Sequence, residues 1–407
     1  MKHVVILGGG FGGVECYRKL TSIAGKKVRI TLINRDNYSL FTPMLHEVAT
    51  GSISRKDIVQ PLREFVTCCH NHFIEADVTS VDVKKKIVKT SAKDIEYDFL
   101  VVALGSITNY FNCEGAQECA FPLKNMDDAI TLRNHILDQY ETAAVTENKK
   151  EREECTSFVI VGGGLTGVEM AGQLADFIYD MRELYPEIPN SVPKITLVHA
   201  GDRILPRLAP ISSRKAKKVL LKKGVDCELN NPLARLTPEV AILKDGTKIK
   251  TRTTIWATGI KSSLPGILPA TLLNDRGLIE VGNDLSCPKY PEIFGVGDVV
   301  SWIGEKANPP STAQAATKAG NIAAQNIWAT IQKKDKIAFE FKSKGDLVPI
   351  GDWYAVAEIG KIKFAGKFAW WMRRTVFIQR LWNWTNRLRV VADWTLNIFR
   401  PRDTSKL

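Results

Sequence analysis

The feature that most constrains the fold is a strand–glycine–helix pattern near the start of the chain. An apolar run at residues 3–7 is followed at once by a loop with GxGxxG at Gly8, Gly10 and Gly13. A helical pattern and a second strand at residues 28–33 come next. The three glycines permit a tight turn, a close approach of the backbone to a pyrophosphate, and close packing of helix on strand. The pattern predicts a dinucleotide-binding unit with the pyrophosphate at the helix N-terminus.

The same pattern recurs in the middle of the chain. The apolar run at residues 158–161 leads into GxGxxG at Gly162, Gly164 and Gly167, and a helix and the strand 194–198 follow. One such motif is weak evidence, but two in the same strand–loop–helix context are not expected by chance. The chain is therefore predicted to be an α/β protein with two Rossmann-like domains that bind two dinucleotides.

Composition excludes several other classes of protein. Of 407 residues, 44% are hydrophobic and 25% are charged, which is typical of globular chains and not of disordered or fibrous ones. The eight cysteines include no CxxC, and Cys68–Cys69 are adjacent, so neither a disulfide scaffold nor a zinc site is predicted. The N-terminal apolar run is too short for a signal peptide, and we expect a cytoplasmic protein without a bound metal.

Positive charge is concentrated at the end of the chain. The net charge is +12, and from Lys361 onward there are eleven Lys and Arg residues against the two acids Asp393 and Asp403. Such a tail predicts contact with an anionic surface, either lipid or nucleic acid. No uncharged apolar run approaches the ~20 residues that span a bilayer. We therefore expect peripheral attachment to the cytoplasmic side of a membrane.

Three further segments carry a resemblance to a known superfamily. Residues 98–106 and 254–259 are apolar strands that end in small residues, and residues 293–298 form a strand that ends in Gly297-Asp298. The chain here resembles the two-dinucleotide flavoproteins of the pyridine nucleotide-disulfide oxidoreductase superfamily. That resemblance implies that Gly297 and Asp298 bind the ribityl and phosphate groups of FAD.

The resemblance narrows at three more segments. Residues 37–51, 167–172 and 311–320 are similar to the flavin-side segment, the NAD-domain helix and the quinone-site helix of type II NADH:quinone oxidoreductases. This implies a non-proton-pumping NAD(P)H:quinone oxidoreductase that passes hydride to flavin N5 and two electrons to a membrane quinone. The implied domains are an FAD domain with an inserted NAD(P)H domain and a C-terminal amphipathic membrane-anchoring region, with boundaries at 1–118, 119–267, 268–335 and 336–407.

The candidate site residues follow from the motifs and the resemblance together. The candidate contacts to FAD are Gly8, Gly10, Phe11, Gly13, Asn34, Arg35, Pro43, Gly105, Gly297, Asp298 and Ala315. The candidate contacts to NADH or NADPH are Gly162, Gly164, Gly167, His199 and Gly259. The candidate catalytic residues are Glu169, Gln314 and Lys318. The resemblance implies that Glu169 lies near the junction of nicotinamide and flavin, where it orders the cofactor or relays a proton to the reduced acceptor. A carboxylate that complements the dipole of the helix first turn is the alternative, and both roles are compatible.

The chain departs from the family pattern at three positions. Asn34 stands where an acid usually binds ribose in the first unit, and His199 stands at the equivalent position of the second unit. An acid there repels a 2′-phosphate, so His199, with Arg203 close behind, opens the site to NADPH. Lys318 replaces a second glutamine one turn after Gln314, and its charge would stabilise a developing quinolate. A different electron acceptor and an ordinary polar helix face are the alternatives at this position.

The tail has the periodicity of an amphipathic helix. Phe377, Leu381, Trp384, Leu388 and Val391 form an apolar row at helical spacing, and a basic stripe and five tryptophans accompany them. The stripe is Arg373, Arg380 and Arg387, and the tryptophans are Trp370, Trp371, Trp382, Trp384 and Trp394. Tryptophan beside arginine favours an interfacial membrane segment. Packing on the flavin domain and a homodimer interface are the alternatives, and a nucleic-acid surface is a weaker third.

Other functions make different demands on the sequence. A sulfide:quinone oxidoreductase needs a pair of redox cysteines facing the flavin, and the tail after Cys287 contains no cysteine. A thioredoxin reductase needs CxxC. A flavoprotein whose main role is to bind nucleic acid would show tight DNA affinity with a steep salt dependence. The quinone type and the oligomeric state are left open by the sequence.

Overall fold

The structure is a computed structural model that describes residues 1–66, 70–303, 309–397, 400 and 402–406. The adjacent cysteines Cys68 and Cys69 lie outside the described residues, as do residues 398, 399, 401 and 407 of the predicted tail. Within the described part of the chain, no helix is both long and apolar enough to cross a membrane.

Helices and strands alternate along most of the chain. The α-helices are Phe11–Ala24 (α1), Leu45–Ala49 (α2), Leu62–Phe65 (α3), Ala116–Cys119 (α4), Met126–Val145 (α5), Lys149–Cys155 (α6), Leu165–Met181 (α7), Pro210–Lys222 (α8), Ala313–Ile331 (α9), Lys367–Arg380 (α10) and Trp384–Leu396 (α11). Short 3₁₀ helices occur at Gly25–Lys27, Thr42–Met44, Arg55–Asp57, Ala270–Leu272 and Gly297–Val299.

The first half of the chain contains the strands Lys2–Leu7 (β1), Val28–Asn34 (β2), Tyr38–Leu40 (β3), Val59–Pro61 (β4), His72–Glu75 (β5), Val78–Asp82 (β6), Ile87–Thr90 (β7), Ile95–Glu96 (β8), Phe99–Val102 (β9), Ser106–Thr108 (β10), Phe121–Pro122 (β11), Ser157–Val161 (β12) and Lys194–Val198 (β13). The second half contains Val225–Glu228 (β14), Leu233–Leu236 (β15), Val240–Leu243 (β16), Lys248–Lys250 (β17), Thr253–Trp256 (β18), Ile260–Ser262 (β19), Ile279–Val281 (β20), Ser286–Cys287 (β21), Tyr290–Gly295 (β22), Val300–Trp302 (β23), Asp346–Pro349 (β24), Ala355–Ile359 (β25) and Ile362–Gly366 (β26).

The chain divides into two compact units. Unit 1 comprises Met1–Leu40, Val59–Ile107 and Ile260–Ser343, and unit 2 comprises Phe41–Ile58, Thr108–Gly259 and Lys344–Leu407. The predicted domains and their boundaries stay predictions. Residues 41–58 and 344–407 belong to unit 2, because α2 packs on α5 and α7, and β24, β25 and β26 pack on α7 and α8. The assignment of cofactors to these domains stays a prediction.

Unit 1 is built on a six-stranded sheet. Its strand order is β21-β22-β9-β1-β2-β5, and all neighbours are parallel except β21 and β22. The central strands β1 and β9 are buried on both faces, as their continuous apolar sequences predict. The crossover from β1 through α1 to β2 places the first glycine loop at the carboxyl end of β1, next to the end of β9.

Helix α9 returns to the glycine loop of unit 1. It crosses α1 so closely that a Cβ on Gly320 would lie 2.1 Å from the carbonyl oxygen of Gly12. Ala316, in the first turn of α9, lies beside both Gly12 and Gly297. The N-termini of α1 and α9 and the turn at Gly297 therefore meet at one edge of the sheet.

Unit 2 repeats the arrangement with a five-stranded sheet. All its strands are parallel, in the order β11-β18-β12-β13-β14, and α7 links β12 to β13. The turn at Asp245-Gly246 joins the antiparallel strands β16 and β17, with Gly246 at φ 90°. The parallel sheets of both units confirm the predicted α/β class of fold.

The charged run at residues 149–154 forms α6, whose N-cap Asn148 accepts hydrogen bonds from two backbone N–H groups. One predicted element was wrong. The apolar row of the tail was expected on one helix, but α10 ends at Arg380 and α11 begins at Trp384. Leu381 lies between them and is buried, so the row is divided between two helices.

Candidate functional site

Two glycines of the first glycine loop have different surroundings, since one is packed against backbone and the other borders open space. A Cβ on Gly13 would lie 1.9 Å from the carbonyl oxygen of Gly8, so only glycine permits this approach of helix to strand. Gly10, by contrast, has no atom within 4 Å of its added Cβ. No side chain caps α1, which begins at Phe11, so its N-terminus presents backbone N–H groups to this open space.

Asn34 holds the first glycine loop in place. Its Oδ1 accepts a hydrogen bond from the Gly9 N–H at 2.8 Å, and its Nδ2 donates to the Asp36 carbonyl oxygen at 2.8 Å. The Arg35 side chain is exposed and lies 3.8 Å from the Asp36 carboxylate. The Asn34 amide is thus engaged with the backbone on both sides. The predicted contacts of Asn34 and Arg35 with FAD stay predictions.

Asp298 lies at the turn where α9 and α1 converge. Its Oδ2 accepts a hydrogen bond from the Ser106 hydroxyl at 2.7 Å, and Gly105 and Gly297 on either side have φ values of 69° and 81°. A cavity of about 170 Å³ beside Asp298 is also lined by Ala315. These four predicted residues lie together in unit 1. Pro43 belongs to unit 2, and its predicted role toward FAD is not tested.

The second glycine loop repeats the geometry of the first. A Cβ on Gly167 would lie 1.8 Å from the carbonyl oxygen of Gly162, whereas one on Gly164 would meet no atom within 4 Å. Gly259 has a φ of 73°, and a side chain at this position would collide with the ring of Phe111. Helix α7 begins directly after Gly164 with no side-chain cap.

His199 braces the second loop from the end of β13. Its Nδ1 accepts a hydrogen bond from the Gly163 N–H at 3.2 Å. Burial lowers the pKa of His199, so the ring is neutral at pH 7 and brings no positive charge to the site. Arg203 does not place its charge beside His199 either, because its guanidinium donates hydrogen bonds to the carbonyl oxygens of Leu208 and Pro206. The substitution therefore removes a negative charge without adding a positive one.

Helix α9 presents Gln314 and Lys318 one turn apart. Its N-cap is Thr312, whose hydroxyl accepts a hydrogen bond from the Ala315 N–H at 3.3 Å. Gln314 is half-buried and Lys318 is exposed. Because residues four apart share one side of a helix, the two polar side chains project in similar directions, as the sequence predicts.

The structure changes the interpretation of Glu169. Helix α7 begins at Leu165, so Glu169 lies in its second turn, and the first turn contains no acid. The predicted interaction with the helix dipole is therefore wrong, because that effect is confined to the first turn. The Glu169 side chain is 14% exposed and its Oε2 lies 4.0 Å from the Nδ1 of His46. Burial raises the pKa of Glu169 to about 8.

A buried ion pair that the sequence motifs do not predict lies near Glu169. Glu47 on α2 pairs with Arg373 on α10, and both side chains are no more than 3% exposed. The other carboxylate oxygen of Glu47 accepts a hydrogen bond from the indole N–H of Trp394 at 2.8 Å. A signal for this cluster was present, because His46-Glu47 interrupts an otherwise apolar stretch at residues 44–49.

The arginines of the tail do not form one stripe. Arg373 is buried, and Arg387 donates hydrogen bonds to the carbonyl oxygens of Gln379 and Leu381 at the end of α10. Only Arg380 is exposed. The predicted basic stripe is therefore wrong. Arg373 pairs with a buried carboxylate and Arg387 donates to backbone carbonyl oxygens, so neither guanidinium is available at the surface as the stripe requires.

The tryptophans also have different environments. Trp370 and Trp394 are buried, with the Arg374 guanidinium over both rings at 3.6 and 4.3 Å from the centroids. Trp371 and Trp384 are exposed by 51% and 68%. The tail is thus anchored in unit 2 by one pair of indoles and presents another pair to its surroundings.

Comparisons with known proteins identify the family. The pyridine nucleotide-disulphide oxidoreductase family model matches residues 2–320. The type II NADH:quinone oxidoreductase Ndh of Mycobacterium tuberculosis is 30% identical to this chain, over 98% of this chain and 89% of that protein. This chain is a type II NADH:quinone oxidoreductase family member. The predicted resemblance is thereby confirmed.

Solved structures agree with the type II NADH:quinone oxidoreductase fold. NDH2 from Plasmodium falciparum in complex with NADH has a TM-score of 0.92 and 22% identity, with 100% of each chain covered. The sulfide:quinone oxidoreductase of Aquifex aeolicus has a TM-score of 0.77 and 20% identity, covering 98% of this chain and 96% of that one. At these identities the similarity establishes the fold alone.

The two loops fit the cofactors of the type II NADH:quinone oxidoreductase family. Membership implies FAD and a nicotinamide nucleotide. In each loop the glycine that packs against the strand has no room for a side chain, while Gly10 and Gly164 border open space at an uncapped helix N-terminus. That space is what the backbone must leave for a pyrophosphate to approach.

Proposed function

We propose that the protein oxidises NADH or NADPH and reduces a quinone, with FAD carrying the electrons between them. Bound FAD supplies the redox chemistry, since its N5 accepts hydride from a reduced nicotinamide and it returns two electrons to an acceptor. The observation that carries the proposal is the pair of loops with open space at Gly10 and Gly164, in a chain of this family.

Unit 1 supplies the groups that would hold FAD. The backbone N–H groups that follow Gly10 would bind the pyrophosphate, and the Asp298 carboxylate would accept a hydrogen bond from a ribityl hydroxyl. The cavity beside Asp298 and Ala315 supports this placement. The domain assignment proposed for FAD is residues 1–118 and 268–335, with residues 119–267 for the nicotinamide nucleotide.

The second loop would hold the nicotinamide nucleotide at Gly164. An acid at the end of β13 would select NADH by accepting a hydrogen bond from the 2′-hydroxyl and by repelling a 2′-phosphate. His199 is neutral, so it provides neither the repulsion nor an attractive charge. We therefore propose that NADPH is accepted together with NADH, without a strong preference for either.

Helix α9 provides two groups for an acceptor. The Gln314 amide would donate a hydrogen bond to a quinone carbonyl, and the Lys318 ammonium would stabilise negative charge that develops on the reduced quinone. Both side chains lie in the first two turns of α9. Glu169, which is protonated at neutral pH, would supply one of the two protons that the reduced quinone requires.

The tail would attach the protein to an anionic membrane surface. Trp384, Leu388 and Val391 lie on one side of α11 and are exposed by 68%, 55% and 43%. Phe368 and Trp371 on α10 are exposed by 68% and 51%. Each helix also carries an exposed arginine, Arg380 on α10 and Arg389 on α11. Exposed indoles and aliphatics beside cations are typical of an interfacial segment.

The central experiment separates the two halves of the reaction. The purified yellow protein is mixed with NADH without oxygen, and a soluble quinone is then added. We expect bleaching of the flavin absorbance by NADH and its return with quinone. Colourless protein that takes up no FAD would contradict the proposal. Bleaching by sulfide without NADH would instead favour the activity of the sulfide:quinone oxidoreductases.

Nucleotide choice is tested at one residue. For the unmodified protein we expect kcat/KM values for NADH and NADPH within about tenfold of each other, because no acid repels the 2′-phosphate. His199→Glu should lower kcat/KM for NADPH by about tenfold or more, since one charge pair is worth roughly that factor. His199→Gln is the uncharged control. A ratio that does not change in His199→Glu would show that this position does not contact the ribose.

A further inference from the structure

A buried cluster in unit 2 brings three ionisable side chains into a row. Helix α2 contributes His46 and Glu47, and α7 contributes Glu169. His46 stands in the middle, with Nδ1 at 4.0 Å from Glu169 Oε2 and Nε2 at 4.0 Å from Glu47 Oε1. The His46 side chain is 3% exposed. A neutral imidazole between two carboxyl groups must offer its single N–H to one of them and its lone pair to the other.

Glu47 is the ionised member of the row. One carboxylate oxygen pairs with Arg373, and the other accepts the hydrogen bond from the Trp394 indole at 2.8 Å. Arg373 and Arg374 lower the pKa of Glu47 although burial opposes them. A fixed negative charge therefore faces Nε2 of His46 from α2, supported by α10 and α11.

That charge determines the tautomer of His46. Burial lowers the pKa of His46 to about 3, so the ring carries one proton. Its Nε2 is buried and has no hydrogen-bond partner among the described residues, yet it faces the Glu47 carboxylate. In a site of low dielectric, an N–H dipole directed at a carboxylate is strongly favoured over a lone pair in that direction. The proton thus lies on Nε2, and the Nδ1 lone pair faces Glu169.

Glu169 is the complementary member. Burial raises the pKa of Glu169 to about 8, and Glu47 acts in the same direction while Arg373 opposes it. Two further cations act on this row, because Arg374 lowers the pKa of Glu47 and Arg402 lowers the pKa of His46. At neutral pH the Glu169 carboxyl therefore carries a proton, which is the partner that the Nδ1 lone pair requires.

We propose that His46 is a positioning residue in a tautomer selected by Glu47. Its Nδ1, which lies 4.0 Å from Glu169 Oε2 in this structure, accepts a hydrogen bond from the protonated carboxyl of Glu169 when the two groups close to hydrogen-bond distance in the holoenzyme. The inference rests on the proposed role of Glu169 as a proton donor to the reduced quinone. When Glu169 gives up its proton it becomes a carboxylate, and it recovers a proton from solvent in the next cycle. His46 keeps its own proton on Nε2 throughout, so it holds and orients the donor without being consumed.

The tautomer is measured directly by nitrogen-15 NMR of the holoenzyme labelled at its six histidines. The His46 signal is assigned by its loss in His46→Leu. We expect the pattern of an Nε2–H tautomer that does not titrate between about pH 5 and pH 9. In Glu47→Gln/Arg373→Met, which removes the ion pair without leaving an unpaired charge, the Nδ1–H form should appear. An Nδ1–H tautomer or a charged ring in the unmodified holoenzyme would overturn the proposal.

The kinetic consequence is measured in quinone reduction. In His46→Leu the carboxyl loses its acceptor, so the alkaline limb of the kcat profile should move to lower pH, with kcat at pH 8 reduced about tenfold, the effect of one hydrogen bond. The KM for NADH should change less than kcat. His46→Asn, whose amide oxygen can replace Nδ1, should restore the limb. The exposed His72→Leu is the control. A limb that stays in place or moves up in folded, yellow His46→Leu contradicts the proposal.

The two measurements also separate this inference from the proposed function. If the unmodified protein does not reduce quinone, the proposed function fails, but the tautomer of His46 is still determined by NMR. If quinone is reduced and the tautomer is Nδ1–H, only the role of His46 fails. Should His46→Leu not fold, the His46 signal is assigned by its loss in His46→Asn, and the NMR of the unmodified holoenzyme and of the double variant decides.

Discussion

At the scale of single residues, the glycines of each GxGxxG loop are required for two different reasons. Gly13 and Gly167 are glycines because the backbone of the preceding turn occupies the place of a side chain. Gly10 and Gly164 are glycines although the structure leaves space around them. Packing explains the first pair, and a ligand that approaches the backbone would explain the second.

This contrast predicts opposite effects of two alanine substitutions in the same loop. Gly167→Ala places Cβ 1.8 Å from the Gly162 carbonyl oxygen and should lower the free energy of unfolding by ~1–3 kcal/mol or more. Gly164→Ala should leave stability within ~0.5 kcal/mol. It should raise KM for NADH by roughly tenfold or more, because a charge-assisted hydrogen bond to phosphate is lost.

Thermal unfolding without nucleotide and steady-state kinetics measure the two effects separately. The interpretation of the loop would be wrong if Gly164→Ala destabilised the protein as much as Gly167→Ala, or if it left KM for NADH unaltered.

At the scale of elements, α10 and α11 divide a continuous apolar pattern between the inside and the outside of unit 2. Leu381 is 1% exposed, whereas Trp384 and Leu388 are exposed by 68% and 55%. Because the helix is interrupted between Arg380 and Trp384, the residues of the apolar row after the interruption face outward although Leu381 faces inward. Helical periodicity alone could not show this, because it assumes that one helix continues.

The exposed part of α11 predicts a loss of membrane affinity on substitution. Trp384→Ser/Leu388→Ser should weaken binding to vesicles that contain anionic lipid by about tenfold or more, since each large apolar side chain contributes ~1.5–3 kcal/mol on burial. Tyr179→Ser, at an aromatic on α7 that is 65% exposed, is the matched control. Vesicle co-sedimentation measures both, and equal losses for the two variants would contradict a docking role for α11.

A carboxyl pair links α11 to the 3₁₀ helix Arg55–Asp57. The Ser54 N–H lies 3.0 Å from Asp57 Oδ2 and 3.2 Å from Asp393 Oδ2. Burial and the adjacent Asp393 carboxyl raise the pKa of Asp57 above its usual range. The folded protein therefore keeps a proton on this pair at pH values where an unfolded aspartate, with a pKa of about 3.9, has lost it.

The sign of the pH dependence follows from that difference. In the window above the usual aspartate pKa the folded state binds more protons, so the free energy of unfolding falls as the pH rises. Asp57→Asn cannot ionise and keeps an acceptor for the Ser54 N–H. It should raise Tm at about pH 8 by more than at about pH 5. Asp202→Asn, at an exposed aspartate, is the control. An equal effect of Asp57→Asn at both pH values would show that the pair does not share a proton.

At the scale of the whole molecule, the last residues of the chain return to helix α7 of unit 2. The Arg402 side chain is 2% exposed and donates to the Asp352 carboxylate at 2.7 Å and to the Gln173 carbonyl oxygen at 3.1 Å. Its Nε lies 3.1 Å from Asp180 on α7. A basic residue at the end of the sequence thus stabilises the helix that follows the second glycine loop.

Loss of the Arg402 charge should lower the free energy of unfolding. Arg402→Met removes a buried guanidinium from the partly exposed carboxylates of Asp180 and Asp352. Because these carboxylates keep some contact with water, the loss should be ~1–3 kcal/mol of unfolding free energy, below the ~3–5 kcal/mol of a fully buried pair. Arg400→Met, two residues earlier and exposed, should cost less than ~0.5 kcal/mol. Denaturant unfolding of both variants measures the difference. Similar values would mean that Arg402 is solvated in the native protein.

Much of the architecture could be read from local sequence. The strands before Gly8 and Gly162 and the helices after them follow from apolar runs, glycine spacing and periodicity, which act over a few neighbouring residues. The predicted strand at residues 194–198 coincides with β13. The candidate groups at Gln314 and Lys318 were placed on one helix for the same reason.

The tertiary structure alone decided which charges are buried together. Glu47 and Arg373 are 326 positions apart, and their pairing depends on α2 and α10 packing in unit 2. The same packing buries His46 and Glu169 and changes their affinity for protons, which no local pattern encodes. Local backbone preferences determine the elements, whereas desolvation and electrostatic interaction depend on every element that surrounds a group, so the chemistry of this cluster appears only once the chain is folded.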